Sequence, residues 1–240
     1  LKINDNFKVI AQPGFEVELI DEGKIISFSP INFIGTKNNP IKIYSQYLTK
    51  NNGIIVINAS GKSKLKFVIF KRLGNLETIN WTVPGAVTFY QSPVEIINCN
   101  FEDSYSEDSL NIVRSEFKLK NSKFINSNSD AIDIDFSMGS IENIFIKNSR
   151  NDGLDLSGSK INASGISIYS SEDKALSIGE GSFLKVNGLI IDNSKVGVAN
   201  KDGSEGILQN IFFKNTKIQF AGFQKKSEYP PSKTKVSNIN

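Results

Sequence analysis

The chain has 240 residues, 39% of them hydrophobic and 22% charged, with a formal net charge of +3. This composition fits a folded globular chain rather than a disordered one. The charge is too small to imply nucleic acid as a partner. No window of 18 continuous apolar residues is present, so no transmembrane helix is expected, and Leu1 to Phe7 lack the apolar core of a signal peptide. The single cysteine, Cys99, excludes an intramolecular disulfide and a cysteine-based metal cluster, and its setting in Ile97–Phe101 predicts a small buried side chain. There is no histidine, so imidazole acid–base catalysis, histidine-dependent triads and histidine-ligated zinc are excluded.

Along the N-terminal third, Val17 to Leu19, Ile25 to Phe28, Ile41 to Ile43, Ile54 to Ile57 and Val68 to Phe70 read as short strands of uneven spacing. Turns are marked by Pro13-Gly14, Asn38-Asn39-Pro40 and Asn51-Asn52-Gly53. Leu73 to Pro84, which holds the only tryptophan, Trp81, reads as an inserted loop.

From residue 85 a repeat takes over. Asn111-Ile112 with its flanks returns as Asp133-Ile134 and again as Asp155-Leu156. Leu110, Ile132, Leu154, Leu176 and Val198 fall 22 residues apart, and Val87 precedes them by 23. A second apolar column, Phe101, Phe124, Ile146, Ile168, Ile190 and Phe212, keeps nearly the same period. A third series, Asn98, Asn121, Asn143 and Asn187, has Gly165 and Gln209 filling its register. Each repeat holds runs alternating with period two, such as Ile132-Asp133-Ile134 and Phe117-Lys118-Leu119, bounded by Asn, Ser, Gly and Asp. No run has useful helical spacing, and no leucine-rich consensus is present. The expected fold is therefore all-β: a right-handed parallel β-helix, a single-stranded solenoid of about 22 residues per coil. One domain spans 1–240, with irregular coils and the inserted loop over 1–84, regular coils over 85–223 and a tail over 224–240 that packs against or leaves the last coil.

In these columns, and in the stretches 85–90, 107–115, 129–137 and 196–204, the chain resembles the pectin-lyase-like β-helix superfamily and a set of bacterial β-helix regions found in larger proteins. The resemblance covers roughly residues 85 to 230 and implies the fold. It implies polysaccharide or glycan as the partner class and an extracellular or cell-surface setting, with a multidomain parent. The superfamily includes lyases, inverting hydrolases, epimerases and phage tailspikes. The Asp-Pro-His motif of the epimerases and the Gly-His and Arg-Ile-Lys elements of the polygalacturonases are missing here, so catalytic residues of those families are not carried over.

The candidate site comes from the repeat itself. Outward positions of the strand headed by Leu110 stack as Thr88, Asn111, Asp133, Asp155, Ser177 and Ala199, and beside them as Val113, Asp135, Ser157 and Gly179. A further acidic column precedes the strand at Asp108, Asp130, Asp152 and approximately Asp173. Residues 101–180 carry 14 acids against 8 bases, net −6, while the remainder carries +9. Strand geometry puts Asp133 and Asp155 about 4.8 Å apart and Asp135 and Asp155 about 8 Å apart across the diagonal. The latter lies in the window of inverting glycoside hydrolysis, one acid protonating a leaving oxygen and another activating water. The same three aspartates are an alternative Ca²⁺ site, in which case an elimination would use Arg114 or Lys174 as base. Asp133, Asp135, Asp155 and Arg114 are the catalytic candidates; Tyr90, Asn111 and Lys174 are the substrate-binding candidates. The competing expectation is a non-catalytic structural or adhesive module. In that reading Asp108, Asp130 and Asp152 are turn caps, and Arg114 is a solvated ion-pair partner. A catalytic β-helix should also show a groove beside the acidic face, walled by loops such as Leu73 to Pro84.

Overall fold

The computed structural model describes residues 1–47, 51–78 and 81–239. Among them there is no helix; the chain winds as a right-handed parallel β-helix of about ten turns and roughly 22 residues per coil. One strand from each turn builds a ten-stranded sheet in strict chain order. Its members are Lys2–Ile3, Ile25–Ser27, Ile54–Ile57, Gly85–Tyr90, Asp108–Val113, Asp130–Asp135, Leu154–Ser157, Lys174–Gly179, Val196–Lys201 and Ile218–Phe223. The other two segments of each turn form a 15-stranded sheet. Early on they are separate strands, as in Glu116–Lys120 and Lys123–Ser127; later they fuse into single bent ones, as in Met138–Ser149. Four strands missed by sequence reading, Lys2–Ile3, Val9–Ala11, Ile31–Ile34 and Ser63–Lys66, complete the early coils.

The register explains the core. Val87, Leu110, Ile132, Leu154, Leu176 and Val198 are directly paired down the stack, each at most 1% exposed. Facing them, Phe70, Phe101 and Phe124 stack, the last two with centroids 4.5 Å apart and planes 6° from parallel. Cys99 is fully buried, as its neighbours predicted, and burial pushes its thiol up to about 12.

Two predicted columns slip. Ile168 pairs with Ile191, and Ile191 with Phe213, so Ile190 and Phe212 point outward, 38% and 44% exposed. The left-handed turn positions run Asn98, Asn121, Asn143, Gly165, Gly188 and Asn210, displacing Asn187 and Gln209. The cause is one extra residue in the Glu180–Ser182 turn. Leu154 to Leu176 is still 22 residues, but Ile161 to Leu184 is 23. Because side chains alternate, one added residue turns the remainder of that segment inside out.

Each coil is also bolted to the next by a serine ladder. The amides of Ser92, Ser115, Ser137, Ser159 and Ser182 donate to the hydroxyls of Ser115, Ser137, Ser159, Ser182 and Ser204, at 2.8–3.1 Å. These hydroxyls satisfy buried turn amides that the sheets leave unpaired. The C-terminal tail does not leave the solenoid: Lys233–Ile239 pairs in parallel with Glu205–Lys214. Ser137→Ala removes the acceptor of the buried Ser115 amide and should destabilise the fold by about 1–3 kcal/mol. Ser140→Ala, on the exposed side, should stay within about 0.5 kcal/mol in the same urea titrations.

Candidate functional site

The ten-stranded sheet carries the acidic columns in the predicted order. Asn111 pairs with Asp133, Asp133 with Asp155 and Asp155 with Ser177; Val113 pairs with Asp135 and Asp135 with Ser157. In the third column Asp108 pairs with Asp130, but register places Lys174, not Asp173, after Asp152. Asp173 lies one residue earlier, held by the ammonium groups of Lys174 and Lys195.

Different chemistry governs each member. Asp130 Oδ1 accepts from the Asp152 amide at 2.8 Å and from Asn151 Nδ2 at 2.7 Å. Asp152 Oδ1 accepts from the Lys174 amide at 3.0 Å and meets Lys174 Nζ at 3.0 Å. These two carboxylates cap the amides of the following coil. Asp108 differs: it is 2% exposed and its Oδ2 has no hydrogen-bond partner. Asn111 Nδ2 donates to Asp133 Oδ2 at 3.2 Å. Asp155 Oδ1 is buried without a hydrogen bond, but Lys201 Nζ lies 3.9 Å away.

Burial dominates the electrostatics. It pushes Asp133 up to about 10, reinforced by Asp108, Asp135 and Asp155. It pushes Asp130 to about 6 against its amide hydrogen bond, and raises Asp108, Asp135 and Asp152 as well. Carboxyl groups stacked in a poorly solvated wall cannot all ionise, so the wall retains protons at neutral pH.

Lys201 was missed by sequence reading. It continues the column Val113, Asp135, Ser157 and Gly179, beyond the point where that column's acids end. Its side chain is 9% exposed and runs back over Gly179, where a Cβ would meet Lys201 Cε at 2.6 Å. Extending the column by one repeat would have found the lysine; only the structure shows where its ammonium goes. Arg114 does not reach the aspartates: its Nη1 donates to the Tyr90 hydroxyl at 3.2 Å and its guanidinium lies over Phe136.

Three carboxylates, Asp130, Asp152 and Asp155, bring ligand oxygens within 4.8 Å of one another and could bind a metal. This trio shares only Asp155 with the one expected from sequence. Its hard oxygen donors suit Ca²⁺, although the Lys174 ammonium already neutralises Asp152 there.

The inserted loop takes a different part. Leu76–Glu77 and Thr82–Val83 form an antiparallel hairpin whose Leu76 and Val83 pack on Ile55, with Ile26 and Ile57 against them. It thus covers the apolar end of the outward face; residues 79 and 80 of the loop lie outside the described residues. A cleft of about 830 Å³ runs instead along the corner leading into the acidic strands, lined by residues including Tyr105, Asn126, Asn148, Arg150, Lys195 and Lys217.

A histidine-free parallel β-helix with a buried, proton-retaining aspartate wall is the class that fold and site define. The chain matches no protein-family model and no characterised protein by sequence. By structure it is similar to the catalytic domain of a GH87 alpha-1,3-glucanase in complex with tetrasaccharides. The TM-score is 0.51 at 12% identity, over 97% of this chain and 64% of that one. It is also similar to the periplasmic alginate epimerase AlgG, with a TM-score of 0.54 at 10% identity, over 100% of this chain and 76% of that one. What the chain shares with both is the parallel β-helix fold. The chain spans less than two thirds of the glucanase domain, and identities this low speak for the fold alone. No helix among the described residues is long and apolar enough to cross a membrane.

The raised carboxyls give a signed pH dependence. The unfolded chain releases these protons first, near pH 4. Their contribution is complete below that value and is lost as pH climbs through the folded pKa, about 6 for Asp130. Asp173 and Glu180, lowered by their lysine partners against some burial, act oppositely and lose their contribution as pH falls below about 4. Stability should therefore fall between about pH 5 and pH 8. Asp133→Asn should raise the urea midpoint at pH 7.5 while leaving it unchanged at about pH 3, below the unfolded pKa; equal midpoints at pH 7.5 would contradict the assignment.

Proposed function

We propose that this β-helix hydrolyses a glycan on its acidic face. The observation that carries the reading is the desolvated Asp133 carboxyl, pushed up to about 10 beside Asp135, which burial raises as well. Beside it stands Asp155, faced by the Lys201 ammonium. Separating an acid from a base by environment is the usual way two carboxyl groups acquire two roles. Strand geometry puts Asp135 and Asp155 about 8 Å apart on the diagonal, leaving room for a water between base and sugar.

In this reading the proton held by Asp133 passes through the neighbouring Asp135 to the glycosidic oxygen as the carbon–oxygen bond breaks. Asp155 takes a proton from water as that water adds to the anomeric carbon from the opposite side. One bond breaks, one forms, and the proton count returns to its starting value through solvent. The anomeric configuration inverts. Lys201 supports the negative charge on Asp155. Asn111 fixes the orientation of Asp133, and Tyr90 and Arg114 flank the site from the neighbouring corner. The similarity to a glucanase and an alginate epimerase supports carbohydrate as the substrate class, and with it an extracellular or surface setting within a larger protein.

A second reading has its own observation. The convergence of Asp130, Asp152 and Asp155 supports a Ca²⁺ site, where the ion would offset carboxylate repulsion and acidify a proton beside a uronate carboxylate. The two separate by chelation. Hydrolysis should survive excess EDTA and should show inversion by NMR of the released reducing end. Loss of activity on chelation, or an unsaturated product, would transfer the assignment to the cation. Asp135→Asn and Asp155→Asn should each lower kcat about 10²–10⁴-fold while the far-ultraviolet circular dichroism stays unchanged.

A further inference from the structure

We infer that Phe136 is a sugar-stacking platform beside the acidic face, and that the glycan it receives is neutral rather than uronate-rich. The inference rests on the hydrolase reading and adds the substrate class. Phe136 directly follows Asp135 and occupies the corner where each turn leaves the ten-stranded sheet. That corner is left-handed in successive coils, at Asn58, Gln91, Arg114, Phe136, Gly158, Glu180 and Asp202, with φ between 47° and 59°. Asparagine, aspartate and glycine accept this conformation readily; a bulky aromatic does so only against resistance. More than half of the ring surface also stays open to solvent, since Phe136 is 54% exposed. A bulky side chain that is unfavourable for the backbone and more than half open to solvent is an outlier of the kind that gathers at ligand sites.

The surroundings hold the ring in place. Gly158, one coil on, leaves the space the ring fills: a Cβ there would meet Phe136 Cδ1 at 2.5 Å. One coil back, the Arg114 guanidinium lies 5.8 Å from the ring centroid, itself anchored on the Tyr90 hydroxyl at 3.2 Å. The result is an exposed aromatic face, pre-positioned next to the Asp135 carboxyl, with guanidinium donors at its edge. An aromatic ring of this kind packs against the C–H face of a pyranose, and Arg114 has N–H groups left for sugar hydroxyls.

Charge selects the sugar. The segment around the platform carries a formal net charge of −6 over residues 101–180. A polyuronate would add carboxylates to an acidic face, whereas a neutral glycan would add no charge to it. Arg114 favours the opposite choice, so the two can be told apart.

The test is binding by calorimetry of neutral gluco-tetrasaccharides, α- and β-linked, and of tetragalacturonate. The parent chain is compared with Phe136→Asn, Phe136→Tyr and Asp135→Asn. Asparagine suits the left-handed corner, so Phe136→Asn should unfold at the same or a higher temperature while its Kd for the best neutral tetrasaccharide rises at least tenfold. Phe136→Tyr should restore the affinity. Asp135→Asn should still bind, separating recognition from turnover. Unchanged affinity in Phe136→Asn overturns the platform even if Asp135→Asn abolishes hydrolysis, in which case the hydrolase reading stands without it. Tighter binding of tetragalacturonate than of every neutral probe overturns the substrate class. A parent chain that binds and cleaves none of the probes overturns both proposals.

Discussion

Parallel strands pair in register at about 4.8 Å, and every other property of this molecule follows from that spacing. With about 22 residues per turn, a residue is stacked on its counterpart from the previous repeat, whatever its chemistry. Where the repeated residue is leucine or isoleucine, stacking gives a continuous core. Where it is phenylalanine, rings lie nearly parallel at 4.5 Å. Where it is serine, each hydroxyl meets the amide one coil earlier.

The same constraint turns against the fold when the repeated residue is aspartate. Asp133 over Asp155, with Asp108, Asp130, Asp135 and Asp152 alongside, concentrates carboxyl groups that repel if ionised. The chain resolves this in two ways. Burial keeps part of the wall protonated, and two lysines from later coils, Lys174 and Lys201, reach back to Asp152 and Asp155. Carboxyl groups with and without their protons therefore stand side by side. That is a cost to stability and also the ordinary precondition for acid–base chemistry. Asp130 and Asp152 show that the same residue type can serve as a turn cap one strand edge away.

Irregularities in the repeat place the surroundings of the wall. The hairpin between the third and fourth coils covers the apolar stretch of the outward face and stops short of the acids. The corner at Phe136 departs from the small and polar residues favoured by its conformation. The extra residue at Glu180–Ser182 shifts the later part of that coil, and Glu180 is then held by Lys226 from the C-terminal segment.

Much of this was legible in the sequence, because a solenoid writes its contacts as a period. The fold class, the core column from Leu110 to Val198 and the outward order Asn111, Asp133, Asp155 all follow from counting residues. Counting failed where the period changed: Ile190 and Phe212 were assigned inward until a single inserted residue in a turn was visible. The path of a long side chain was not legible either. Lys201 lies 46 residues from Asp155 and reaches it only by crossing the space above Gly179. Arg114, close to Asp133 in sequence, turns away to Tyr90 and Phe136. Sequence alone determined which backbones lie on one wall, since pairing depends only on the repeat. Tertiary structure decided which carboxyl groups are desolvated and which cation each one meets, since those depend on rotamers and burial that no period encodes.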